Sequence, residues 1–67
     1  MPGFVMPLPK HVWEITVQID NGDWHYTRTS EPVPFDVAVR TALVYEAMFS
    51  LKGGRLVSIA NVDPPQT

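Results

Sequence analysis

The stretch from Val12 to Thr29 constrains this chain more than any other part of it, because it reads as two strands folded about one turn. In Val12-Trp13-Glu14-Ile15-Thr16-Val17-Gln18-Ile19 apolar and polar residues alternate. Successive side chains of a strand point to opposite faces, so Trp13, Ile15, Val17 and Ile19 share one face and Glu14, Thr16 and Gln18 the other. Asp20-Asn21-Gly22-Asp23 follows. Asn-Gly is the strongest short hairpin signal, since a two-residue type I′ turn needs positive φ at both central positions. Trp24 to Thr29 then returns as the second strand.

With Asn21 and Gly22 as the two loop residues, Ile19 faces Trp24, Val17 faces Tyr26 and Ile15 faces Arg28. On the other face Gln18 meets His25, Thr16 meets Thr27 and Glu14 meets Thr29. Every pair except Ile15–Arg28 sorts by polarity. This register expects Trp24 and Tyr26 in the core and His25 on the polar face.

Beyond the hairpin, Ser30-Glu31-Pro32-Val33-Pro34 is a stiff link, each proline fixing its own φ and disfavouring helix in the residue before it. Pro34 suits a helix start, and Asp36 in the first turn favours the dipole. Phe35 to Leu51 is helix-compatible, and Lys52-Gly53-Gly54 ends it with a glycine cap. Arg55 to Val62 reads as a third strand, reached by a crossover expected to be right-handed. The predicted fold is α+β: a ββαβ unit with a three-stranded antiparallel sheet, order 2-1-3, and one helix on one face. Residues 1–10 form a proline-rich apolar arm, 11–62 the single domain and 63–67 a flexible tail.

Size bears on what this domain needs. A 67-residue chain buries only about 60% of the surface its unfolded form exposes, so disulfides, a metal or association usually supplement the core. There is no cysteine, which removes disulfides and thiolate zinc sites together. Association with another chain is the remaining supplement. The net charge of −2, with Lys10, Arg28, Arg40, Lys52 and Arg55 spread singly, is the reverse of the basic stripe nucleic-acid binders use. No apolar run approaches the ~20 residues that cross a bilayer. The N-terminus carries three prolines by Pro9 and no positive leader, so a cytoplasmic, bacterial or phage setting is expected.

The helix carries more apolar surface than one sheet can cover. Stepping about 100° per residue, Phe35, Ala38, Ala42, Tyr45 and Phe49 gather on a stripe that faces the sheet. Val37, Val44, Met48 and Leu51 form a second stripe, while Asp36, Arg40, Glu46 and Ser50 mark a polar side into which Val39 and Leu43 intrude. Two occupants fit the second stripe: the arm with Phe4, Val5, Met6 and Leu8, or another chain, most simply a second copy in a twofold dimer. Free edges of the second and third strands offer a further route, by sheet extension.

Catalytic and ligand-binding patterns find little support. In the expected register His11 and His25 lie on opposite faces, and His25 stands two pair steps from Glu14. Read as a calcium loop from Asp20, only Asp20 and Glu31 could serve as ligands, and His25 occupies the position that requires glycine. Lys52-Gly53-Gly54-Arg55 follows its helix, where the carbonyl end repels phosphate. Trp13, Trp24 and Tyr26 could stack bases only if the helix covered the face of Glu14, Thr16 and Gln18, a polar core. No nucleophile has a base placed beside it, so no catalytic residue, metal, cofactor or small-molecule ligand is expected. The leading expectation is a small non-enzymatic interaction or regulatory module, of the kind encoded by phages and mobile elements, acting through Val37, Val44, Met48 and Leu51 and as a homodimer. The alternative is a nucleic-acid-associated regulator whose dimer assembles Arg28, Arg40 and Arg55.

Overall fold

A computed structural model describes residues 9–63. Strand β1 (Trp13–Gln18) and strand β2 (Trp24–Arg28) lead to helix α1 (Phe35–Met48), a 3-10 turn (Ser50–Lys52) and strand β3 (Arg55–Asn61). The strands form one antiparallel sheet in the order β2-β1-β3, the ββαβ arrangement expected from the sequence.

The hairpin departs from expectation by one residue, and the consequence is large. The observed pairs are Glu14–Arg28, Ile15–Thr27, Thr16–Tyr26, Val17–His25 and Gln18–Trp24. Gly22 N–H donates to the Ile19 carbonyl at 2.9 Å, and Ile19 N–H donates to the Asp23 carbonyl at 3.0 Å. Gly22 has φ +92°, whereas no non-glycine residue has positive φ among the described residues. Asn21 therefore does not adopt the left-handed conformation that a type I′ turn demands. The loop is a three-residue one, a type I turn closed by a left-handed glycine, with Asn21 Oδ1 accepting from Asp23 N–H at 2.9 Å. One extra loop residue slips the return strand by one position, and with a side-chain period of two that turns all of β2 over.

Trp24 and Tyr26 consequently lie with Glu14, Thr16 and Gln18 on the face away from the helix, 58% and 67% exposed. They are not core residues. His25 and Thr27 take the helix side instead. The awkward Ile15–Arg28 pair disappears: Ile15 meets Thr27, and Arg28 Nε donates to Glu14 Oε2 at 3.0 Å.

Ile15 and Val17 on β1 are fully buried, as are Ala38 and Ala42 on α1, with Ile19 nearly so. The two alanines let α1 approach the sheet closely, and α1 packs mainly over β1 and β3. On β3, Leu56 opposes Val17 and Ile59 opposes Ile15, while a bulge at Val57 absorbs one residue between them. That bulge keeps Leu56 and Ile59 on the core side although their spacing is odd. Trp13 seals one end, its Nε1–H donating to the Val33 carbonyl at 2.8 Å and its ring meeting Phe35 edge-on at 5.3 Å.

Pro34 stands just before the first turn of α1, its carbonyl accepting from Val37 and Ala38 N–H. The α-helix is shorter than expected and hands over at Phe49 to the 3-10 turn, which closes on Gly53 in the left-handed conformation, φ +70°. A side chain at Gly53 would collide with the Asp20 carboxyl group, and one at Gly54 would press on Phe49. The hairpin loop and the helix end are tied together here, Asp20 N–H donating to the Lys52 carbonyl at 2.9 Å.

Candidate functional site: two uncovered surfaces

The first surface is the outer side of α1. With Ala38 and Ala42 inward, the 3.6-residue period turns Leu43, Val44 and Met48 away from the sheet, and Leu51 follows on the 3-10 turn. Their exposures are 54%, 65%, 71% and 101%. Of the residues expected to form an interface, Val44, Met48 and Leu51 are exposed together, whereas Val37 is half-buried. Leu43, set aside in the sequence as an intrusion on the polar side, belongs to this patch. Its neighbours in the N-terminal half are Asp36 and Arg40, which approach one another at 3.6 Å. The exposed aliphatic cluster is thus confined to the C-terminal half of the helix and the turn after it. Residues 1–8, the other occupant considered for this stripe, lie outside the described residues.

The second surface is the helix-free face of the sheet, ordered by strand pairing into three rows. Trp24, Gln18 and Arg55 form one, Tyr26, Thr16 and Ser58 the next, and Arg28, Glu14 and Ala60 the third. Two exposed aromatic rings therefore sit side by side on β2 with an arginine beyond Tyr26 and a second across the sheet from Trp24. Arg40 lies on α1, on the opposite side of the sheet, so one chain does not bring Arg28, Arg40 and Arg55 together.

The histidines fall in different places from those expected. His25, on the helix side, stacks on Phe49 with centroids 4.8 Å apart, and Phe49 in turn meets Tyr45 edge-on. It covers the end of the core and is turned away from Glu14. His11 bridges to Val33 through paired backbone hydrogen bonds and its Nδ1 lies 2.6 Å from Asp63 Oδ2. The other oxygen of Asp63 accepts from Val12 N–H at 2.7 Å. The His11 hydrogen bond, then that of Val12, holds the Asp63 carboxyl below the usual carboxylate range. A histidine oriented by a carboxylate is half of a general-base arrangement. Among the described residues no hydroxyl hydrogen-bonds to the second ring nitrogen, so this pair acts as a clasp between the start of β1 and the end of β3. Asp63 is the first residue of the expected tail, and residues 64–67 lie outside the described ones.

A cleft of about 370 Å³ beside the clasp is lined by Pro9, His11, Trp13, Pro34, Phe35 and Asp36. No group of three or more His, Asp or Glu side chains positioned for a metal occurs among the described residues. No helix among them is long and apolar enough to cross a membrane. No family model, curated protein or solved structure matches the chain.

Proposed function

We propose that this chain is a non-enzymatic protein-interaction module whose docking surface is the C-terminal half of α1. The observation that carries this reading is the cluster of Leu43, Val44, Met48 and Leu51, exposed together on one side of the helix. Burying them would stabilise a complex by removing apolar surface from water, roughly 25 cal/mol per Å². The cluster is small: stable protein–protein interfaces engage about 20–30 residues a side. It suits a peptide-sized partner, an amphipathic segment with apolar anchors spaced one helical turn apart. With Asp36 and Arg40 close to one another, the surroundings of the patch favour neither sign of charge in that segment.

The test is an amide-shift titration of the folded protein with a synthetic amphipathic leucine–lysine helix peptide. Saturable shifts centred on Leu43 to Leu51, lost in the Leu43→Ser/Met48→Ser variant, are the expected result. Shifts spread evenly over the molecule, or none, would remove the reading.

The exposed pair Trp24 and Tyr26 favours a second reading, single-stranded nucleic acid stacked on the open sheet face. Arg28 and Arg55 frame those rings, although Glu14 neutralises Arg28 and Arg40 lies elsewhere. Tryptophan emission titrated with oligothymidine at low salt decides it. Binding that weakens steeply with salt supports this reading, and an unchanged signal eliminates it.

A further inference from the structure

We propose that two copies of the chain join edge to edge through β2, antiparallel about a twofold axis at Tyr26, to make a continuous six-stranded sheet. The two sheet edges are not equivalent. On β3 the bulge at Val57 breaks the run, and Leu56 N–H is already taken by the Glu46 carboxylate of α1 at 2.6 Å. That edge is blunted in two of the ways by which proteins prevent edge pairing. β2 has neither protection, and contains no proline, lysine or bulge across Trp24–Arg28.

The outward backbone groups of β2, which have no partner among the described residues, are self-complementary. In an antiparallel ladder, hydrogen-bonded and non-hydrogen-bonded pairs alternate. Thr29 N–H donates to the Trp13 carbonyl at 2.9 Å and Ile19 N–H to that of Asp23 at 3.0 Å. The odd-numbered residues of β2 are therefore the ones bonded to β1. Trp24, Tyr26 and Arg28 direct both N–H and C=O outward. Pairing about Tyr26 sets Trp24 against Arg28 of the second copy, Tyr26 against its own image and Arg28 against Trp24. Each of these pairs exchanges two hydrogen bonds, so every outward group of the strand is used.

Side chains select the same register. Trp24, Tyr26 and Arg28 share the open face, and Glu14 holds the Arg28 side chain at 3.0 Å. In the Tyr26-centred pairing each Trp24 ring lies directly across from an Arg28 guanidinium, a cation–π arrangement, and the two Tyr26 rings lie side by side. Centring on Arg28 would oppose two guanidinium groups, and centring on Trp24 would leave Arg28 unpaired across the junction. Because α1 packs mainly over β1 and β3, the two helices stay clear of the junction on one side of the joined sheet. Both Leu43–Leu51 patches remain free, so this assembly does not depend on the docking surface proposed above.

Sedimentation equilibrium over a wide concentration range tests the assembly, with Tyr26→Pro as the variant. Tyr26 N–H faces away from β1, so proline there removes the central intermolecular bonds and spares the hairpin. The expected result is a wild-type dimer and a variant whose dissociation constant is raised roughly ten- to hundredfold, for the loss of two hydrogen bonds. A wild-type monomer at every concentration overturns the proposal, as does a dimer that Tyr26→Pro leaves intact while Leu43→Ser/Met48→Ser abolishes it. Should the proline variant fail to fold, isotope-filtered NOE spectra of mixed labelled and unlabelled wild type take its place. Contacts between Trp24 of one copy and Arg28 of the other are expected, and a dimer without them is contrary to the proposal.

Discussion

Replacing Gly22 by alanine isolates the conformational feature on which the hairpin turns. Gly22 has φ +92°, and a methyl group built there meets nothing within 4 Å. The cost is therefore local to the backbone, with no clash against the rest of the fold. An L-residue in left-handed backbone loses roughly 1–2 kcal/mol, and the alanine returns part of that, about 0.4–1 kcal/mol, by stiffening the unfolded chain. The net loss expected for Gly22→Ala is about 1 kcal/mol. Against a stability of roughly 3–10 kcal/mol for a chain this size, that is a clear signal. Urea unfolding followed by tryptophan emission should show the midpoint lowered by about 0.5–1 M with an unchanged slope. The thermal midpoint should fall by roughly 4–8 °C. All samples are compared at one protein concentration, since self-association would add stability. Gly22→Asn should recover part of the loss, because asparagine tolerates positive φ better than alanine does. An alanine variant as stable as wild type, or more so, would refute the left-handed conformation at Gly22 that closes the hairpin.

Truncation of the fully buried Ile15 tests the core: Ile15→Ala should cost about 2–5 kcal/mol, enough to leave much of the chain unfolded, whereas Ile15→Val should cost about 0.5–1.5 kcal/mol and keep a cooperative transition. At Asp63 the folded state lowers the carboxyl below its ordinary 3.8, so its contribution is present above that pH and lost as the pH falls through the folded value. The stability gap between wild type and Asp63→Asn, read from unfolding curves across acidic pH, should accordingly be open at neutral pH and start to close only as the pH falls past 3.8 toward the lower folded value; a gap that widens on acidification would contradict the clasp.

The order of elements was legible because two different periods announce them. Strict alternation marks β1, a helix-compatible run between Pro34 and Gly53 marks α1, and a single apolar domain leaves few ways to join them. The facing of β2 was not legible. Gly22 serves a two-residue turn and a three-residue turn equally well, and the choice decides which half of an alternating strand is buried. Trp24 and Tyr26 made the wrong register attractive, because large rings are expected inside. The one discordant pair, Ile15 with Arg28, was the available warning, since slipping by one residue converts it into an Arg28–Glu14 ion pair and an Ile15–Thr27 contact. Surplus apolar surface on the helix could be read from its period. Half-burial of Val37 and the place of Leu43 in the patch could not, because they depend on how α1 is rotated over the two alanines. The bonds from Glu46 to Leu56 and from Asp63 to His11 join residues far apart in the chain, and no local pattern signals either.

The facing of β2 supports both the open aromatic face and the self-complementary edge, and backbone NOE spectroscopy tests it directly. In the observed register Thr16 and Tyr26 form a non-hydrogen-bonded pair, whose α-carbons lie about 4.5 Å apart. A strong α-proton contact between Thr16 and Tyr26, repeated between Gln18 and Trp24 and between Glu14 and Arg28, is the result this account requires. Tyr26 paired instead with Val17, and Trp24 with Ile19, would turn the rings back into the core and contradict it.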